Sequence, residues 1–181
     1  MKKAMWVSVV ALAAAALPVR AQDKLTVPLS DPARPATVRV NILTGSIRVK
    51  AYAGKEVIVE ARPRAERASE TSGKDGMHRI PINSTGLEVE EDNNEVRVGA
   101  SALHRAIDID IQVPARTTLK LKTVNDGEIT VDGVHGDLEA SDLNGPVTLT
   151  NVGGSVVAHS LNAKVKVVLA QVDPQKPMSF S

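Results

Sequence analysis

The sequence predicts an all-β fold, and within that class a β-solenoid of short repeated strands, similar in kind to a single-stranded β-helix. Three observations predict it. Apolar and polar residues alternate with a period of two through most of the chain, the second half repeats itself in short blocks, and the apolar side chains are aliphatic, with Trp6, Tyr52 and Phe180 the only aromatics. Strand side chains point alternately to opposite faces, so alternation means one buried and one solvated face. No helix-period pattern of useful length occurs outside the N-terminal apolar segment.

That segment opens with Lys2 and Lys3, runs apolar from Ala4 to about Leu17 and closes on Val19-Arg20-Ala21. The order predicts a secretory signal peptide over residues 1–21. The run is short of the roughly 20 apolar residues that a spanning helix needs, so no stable membrane span is expected after cleavage. No cysteine follows it to carry a lipid anchor. Removing residues 1–21 takes away Lys2, Lys3 and Arg20, which changes the balance of 22 basic and 21 acidic side chains to a net charge of −2. The remaining domain, residues 22–181, is long enough to bury a core without disulfides, which the absence of cysteine requires. Its near-neutral charge argues against nucleic acid as a partner, and scarce aromatics argue against stacking platforms.

Strands are predicted wherever the alternation is clean: TVRVNI (37–42), SIRVKA (46–51), EVIVEA (56–61), LEVE (87–90), EVRV (95–98), AIDIDIQV (106–113) and TLKLKTV (118–124). Residues 62–85 are polar, carry Pro63 and Pro81, and read as a long loop. A shorter connection spans 99–106.

The repeat occupies residues 125–170. Its blocks are NDGEITVDGV, HGDLEASDL, NGPVTLTNV, GGSVVAHSL and NAKVKVVLA. Asn125, Asn144 and Asn162 open every second block, so the longer unit is two blocks. Ile129, Val131, Leu138, Ala140, Val147, Leu149, Val156, Ala158, Val165 and Val167 are expected to point inward and stack. Gly127, Gly133, Gly136, Gly145, Gly153 and Gly154 are expected to supply turns with positive φ. The chain stops soon after the last block with no polar cap evident, so an open final rung is expected, marking a truncated domain or a surface for self-association.

These residues resemble the bacterial DUF4097 family of adhesin-like domains. The resemblance is carried by the V-P-A-x-T-x-L-x-L-x-T-V-N-x-G pattern at 113–127 and the L-N-G-x-V-x-L-x-N-V-x-G-x-V-x-A pattern from Leu143, and it covers roughly 37–169. It implies an extracytoplasmic β-solenoid with no catalytic residues to carry over. Asn162-Ala163 departs from the Asn-Gly that the pattern implies.

Candidate chemistries are few. His78, His104, His135 and His159 show no zinc spacing, so no metal or other cofactor is expected from them. Asp126, Asp132 and Asp137 lie in turns that could hold a weak calcium ion, but the calcium-roll nonapeptide is absent. Asp108 with Asp110, and Glu88 with Glu90, share a strand face and could flank a glycosidic bond, although any solvated strand face carries such acids. Ser155 follows two glycines without a nucleophile-elbow motif. Arg62, Arg64, Arg67, Lys74 and Arg79 make 62–85 the most basic stretch, suited to an anionic glycan or lipid headgroup. The resulting expectation is a non-catalytic scaffold or adhesin-like binding module of the bacterial cell envelope, in the periplasm, secreted or at the surface, with a protein or glycan partner. A carbohydrate-active enzyme on a β-helix is the alternative. No catalytic, cofactor-binding or metal residue is assigned.

Overall fold

A computed structural model describes residues 23–64, 86–100 and 106–181. The segment predicted as a signal peptide, most of the basic loop and part of the connection after residue 98 lie outside the described residues. Among the described residues fourteen strands follow in chain order: β1 (Asp23–Val27), β2 (Thr37–Asn41), β3 (Ile47–Tyr52), β4 (Val57–Pro63), β5 (Leu87–Asp92), β6 (Glu95–Ala100), β7 (Ile107–Pro114), β8 (Thr118–Thr123), β9 (Ile129–Asp132), β10 (Leu138–Asp142), β11 (Val147–Val152), β12 (Val156–Ser160), β13 (Val165–Leu169) and β14 (Met178–Phe180). The described residues contain no helix. Strand β4 runs through Pro63, so the loop predicted from residue 62 begins later than its polar composition implies.

The strands form two seven-stranded sheets, ordered β1-β4-β7-β3-β9-β11-β13 and β14-β12-β10-β8-β2-β6-β5. From β8 onward, successive strands alternate between the sheets, and each lies parallel and in register with the strand two positions on. Two-strand coils therefore stack on one another, which is the physical content of the two-block spacing. Strands β2 and β3 form one coil, as do β6 and β7. The β2–β3 coil is inserted between β6–β7 and β8–β9, since β2 pairs with both β6 and β8, and β3 with both β7 and β9. Beyond β7 and β6 the pattern turns antiparallel, with β4 and then β1 on one side and β5 on the other.

Both sheets contribute to one aliphatic core. A ladder crosses the first sheet from Val59 through Ile111, Val49, Val131 and Leu149 to Val167, and another crosses the second from Val96 through Val38, Leu119, Leu138 and Val156 to Met178. Parallel sheets usually have both faces covered and lose their alternation. Here the outer faces meet water, which is why the period of two stays visible in sequence. Val165 and Val167 occupy the expected inward register but are only half-buried, because β13 is an edge strand of its sheet. The second sheet gains β14 past the last repeat, so the final rung there is covered by a short strand and is not the open end expected.

The glycines act differently from expectation. Of the six expected to need positive φ, only Gly133 and Gly154 have it. Gly127 and Gly145 are required by close approach: a Cβ on Gly145 would sit 1.8 Å from the Gly127 carbonyl oxygen, and one on Gly127 would sit 1.8 Å from that of Gly45. Successive turns pack backbone on backbone at this corner, a distance no side chain permits.

A buried polar column runs beside that glycine column. Thr123, Asp142 and Ser160 are in register, and all three are buried. Thr123 Oγ1 donates to the Gly45 carbonyl at 3.1 Å and Ser160 Oγ to that of Gly145 at 2.9 Å. Asp142, between them, uses Oδ1 to accept from the backbone N–H groups of Asn144 (3.1 Å) and Gly145 (2.8 Å), while its buried Oδ2 has no partner. Oδ2 and the Gly127 carbonyl oxygen both lie within 2.6 Å of the point a Gly145 Cβ would occupy, so an acceptor stands where its column neighbours place donors. Asp142→Asn keeps Oδ1 and substitutes an N–H donor for the orphaned oxygen. The expected outcome is stabilisation by about 1 kcal/mol, or a few degrees in melting temperature. A lower melting temperature would contradict this account of the column.

Candidate functional site

Asp108 and Asp110 project from the outer face of β7, and arginines engage both. Arg64 Nε donates to Asp108 Oδ1 at 3.1 Å, and its Nη2 donates to the same carboxylate and, at 2.7 Å, to Ser46 Oγ. Arg64 Nη1 also donates to the Asp126 carbonyl. Partial burial alone pushes the Asp108 carboxyl up. The Arg64 hydrogen bonds, the Ser46 N–H and the charges of Arg64 and Arg48 outweigh it and hold the group below the ordinary carboxylate value. Asp110 lies 3.3 Å from Arg62 and 3.7 Å from Arg48. The pairs extend outward to Glu128 through Arg48, and to Glu60 and Lys24 through Arg62. Alternating charges thus run across the outer face of one sheet, each exposed pair contributing little, about 0–1 kcal/mol.

The other sequence candidates are dispersed. Glu88 and Glu90 stand exposed on β5, an edge strand. His135 is exposed in a turn, and His159, on the outer face of β12, contacts Ser181 Oγ at 2.7 Å. His78, His104, Arg67, Lys74 and Arg79 lie outside the described residues. Asp132, expected in a turn, is the last residue of β9 and accepts from Asn151, while Asp137 accepts from the Ser155 N–H and Lys176, so these two aspartates serve separate local contacts. Ser155 Oγ donates to the Pro177 carbonyl, tying the C-terminal segment to its rung. Among the described residues no three His, Cys, Asp or Glu side chains come together as a metal site.

Two features emerge that sequence reading did not isolate. The first is a corner ridge. Asn162 Nδ2 donates to Asn144 Oδ1 at 2.7 Å, and Asn144 Nδ2 to Asn125 Oδ1 at 3.1 Å, forming an asparagine ladder. Beside it Leu43, Leu143 and Leu161 are 50%, 41% and 62% exposed, at matching positions of the coils, with the half-buried Val124 at that position between Leu43 and Leu143. The regular Asn spacing was visible in sequence; the outward turn of the leucines was hidden, because each simply ends an alternating run.

The second is a cleft of about 300 Å³ at the opposite end of β3 and β7. Its lining comes from the β1–β2 connection (Leu29, Pro32, Arg34, Pro35), the end of β3 (Tyr52, Gly54) and the β7–β8 turn (Pro114, Arg116). Tyr52 is paired with Pro114 across the sheet. Its hydroxyl donates to the Glu56 carbonyl at 2.8 Å, closing the β3–β4 connection, and Gly54 packs against the ring where a Cβ would come within 2.1 Å. The ring is therefore a fixed wall.

No family model matches the chain, and no curated protein matches it. The DUF4097 likeness accordingly rests on the quoted residue patterns alone. A crystal structure described as a candidate cell adhesion protein from Clostridium sporogenes aligns over 88% of this chain and 99% of that chain, with 8% identity and a TM-score of 0.34. So loose a likeness carries no argument about function.

Proposed function

We propose that this protein is an exported, non-catalytic β-solenoid scaffold that works as an adhesin-like binding module of the bacterial cell envelope. The observation that carries the reading is the register of the coils, which lines up apolar side chains from coil to coil at the Leu43–Val124–Leu143–Leu161 ridge, three exposed leucines and one half-buried valine, beside the asparagine ladder. Exposed apolar residues arranged contiguously, and not singly, mark interaction surfaces. The acids best placed for hydrolysis, Asp108 and Asp110, are occupied by Arg64, Arg62 and Arg48. Among the described residues no helix is long and apolar enough to cross a membrane. The edge strand β13, with half-buried Val165 and Val167, is a further surface on which a second copy could pair.

Labelled protein incubated with intact bacterial cells and with isolated envelope polysaccharide tests this. Saturable binding without release of new reducing ends or unsaturated products is expected. Cleavage of the polysaccharide, or no retention on any envelope fraction, would overturn the reading.

A further inference from the structure

We propose that the cleft between Tyr52 and Arg116 binds one acidic sugar unit of an envelope or host polysaccharide, with the carboxylate on Arg116 and Arg34 and the apolar face of the ring against Tyr52. The inference rests on the binding-module reading and gives it a ligand class.

Charge is the first ground. Two arginines line the cleft and no acidic side chain does. Arg34 uses Nε for Asp31, at 2.8 Å, which leaves its two terminal nitrogens without a partner among the described residues. Arg116 is exposed and has no ion-pair partner among them. A pair of planar guanidiniums with free donors matches a carboxylate better than any neutral group.

Shape and apolar character are the second. Leu29 and Ala36 form a buried floor, and Pro32, Pro35, Pro114 and the fixed Tyr52 ring complete the lining. A volume of about 300 Å³ is at the small end of ligand sites, suited to one ring and not to a folded partner. Apart from the signal-peptide Trp6, Tyr52 and Phe180 are the only aromatics in the chain. One of these two, Tyr52, lines the cleft.

The backbone supplies the third ground, against an extended peptide. The groups around the cleft are already committed: Thr117 N to Pro114 O, Thr118 N to Ala36 O, His135 N to Ala115 O and Thr37 N to Asn94 O. With the carbonyls of Ala36, Pro114 and Ala115 already accepting, strand addition along these segments is disfavoured and side chains are left to carry recognition.

Titration calorimetry with trigalacturonate, a neutral galactose trimer and inorganic sulfate tests the assignment on the protein and on Arg116→Gln. Arg116 is exposed and has no ion-pair partner among the described residues, so this variant should fold; equal melting temperatures verify it. Trigalacturonate is expected to bind saturably, the neutral trimer at least about tenfold more weakly, and Arg116→Gln to lose about tenfold in affinity for trigalacturonate. Tyr52→Leu, with Tyr52→Phe as the control that keeps the ring, is expected to lose a comparable factor. Sulfate binding as tightly as trigalacturonate would reduce the cleft to an anion site and overturn the sugar assignment. Absence of trigalacturonate binding, or equal affinity for the neutral trimer, would overturn it too. Binding unchanged in Arg116→Gln places the contact elsewhere, which overturns the cleft while leaving the adhesin-like reading intact. Cleaved products with Arg116-dependent binding would support the cleft and overturn the non-catalytic reading.

Discussion

Gly127→Ala is expected to destabilise the protein by about 3 kcal/mol or more, whereas Gly99→Ala is expected to leave it unchanged or raise its stability by about 0.4–1 kcal/mol. The chemical change is identical and the surroundings decide the sign. A Cβ on Gly127 would meet the Gly45 carbonyl oxygen at 1.8 Å, and the opposing atom is backbone, which can move only by separating two coils. A Cβ on Gly99, in β6, would meet nothing within 4 Å, and this glycine's φ is not positive. The added methyl there restricts the unfolded chain at no native cost. Thermal melting of the two variants side by side measures the contrast. Similar melting temperatures would mean that the glycine column is not a point of close packing.

Val147→Asp should cost about 4 kcal/mol or more, and Thr148→Asp roughly 0.5 kcal/mol or less. Val147 is fully buried and stacks between Ile129 and Val165. A carboxylate there would lie in an aliphatic ladder with no donor in reach. The neighbouring Thr148 faces outward, in register with Thr130 and Lys166, so an aspartate at that position gains a nearby cation. For a chain of this length each kcal/mol shifts the melting temperature by roughly 2–4 °C, so the first variant should melt about 10 °C lower while the second stays near the parent. Equal melting of the two would refute the inward and outward assignment of β11.

That assignment was legible in sequence because each strand has one wet face. Ile107, Ile109, Ile111 and Val113 are buried as the alternation of 106–113 requires, and Asp108 and Asp110 lie outward. The spacing of Asn125, Asn144 and Asn162 likewise corresponds to a physical ladder. Alternation says which side a residue takes but not which strand lies beside it. Nothing in TVRVNI distinguishes a strand at the end of the stack from one inserted in its middle, and nothing in EVIVEA or LEVE marks the antiparallel pairing of β4 and β5. Glycine was misread for a similar reason: composition signals a turn, but only packing distinguishes a backbone bent through positive φ from one pressed against its neighbour. The cleft was invisible because Arg34, Tyr52 and Arg116 stand far apart in the chain and only coil stacking brings them together.

The insertion of the β2–β3 coil sets an order of assembly. Each later coil finds its partner just two blocks away, a short loop to close, as in the pairing of Leu138 with Leu119 and Val156. Thr37, by contrast, pairs with Glu95 and Thr118, both far along the chain. Closing the longer loops costs more chain entropy, and contacts distant in sequence form slowly. A polypeptide emerging N-terminus first therefore exposes β2 and β3 with neither flanking coil yet made. Until β6 and β7 arrive, β2 and β3 have no parallel neighbour on either side, and until residues beyond 118 arrive they have one on a single side, so the coil in the middle of the stack is closed on its second side only then.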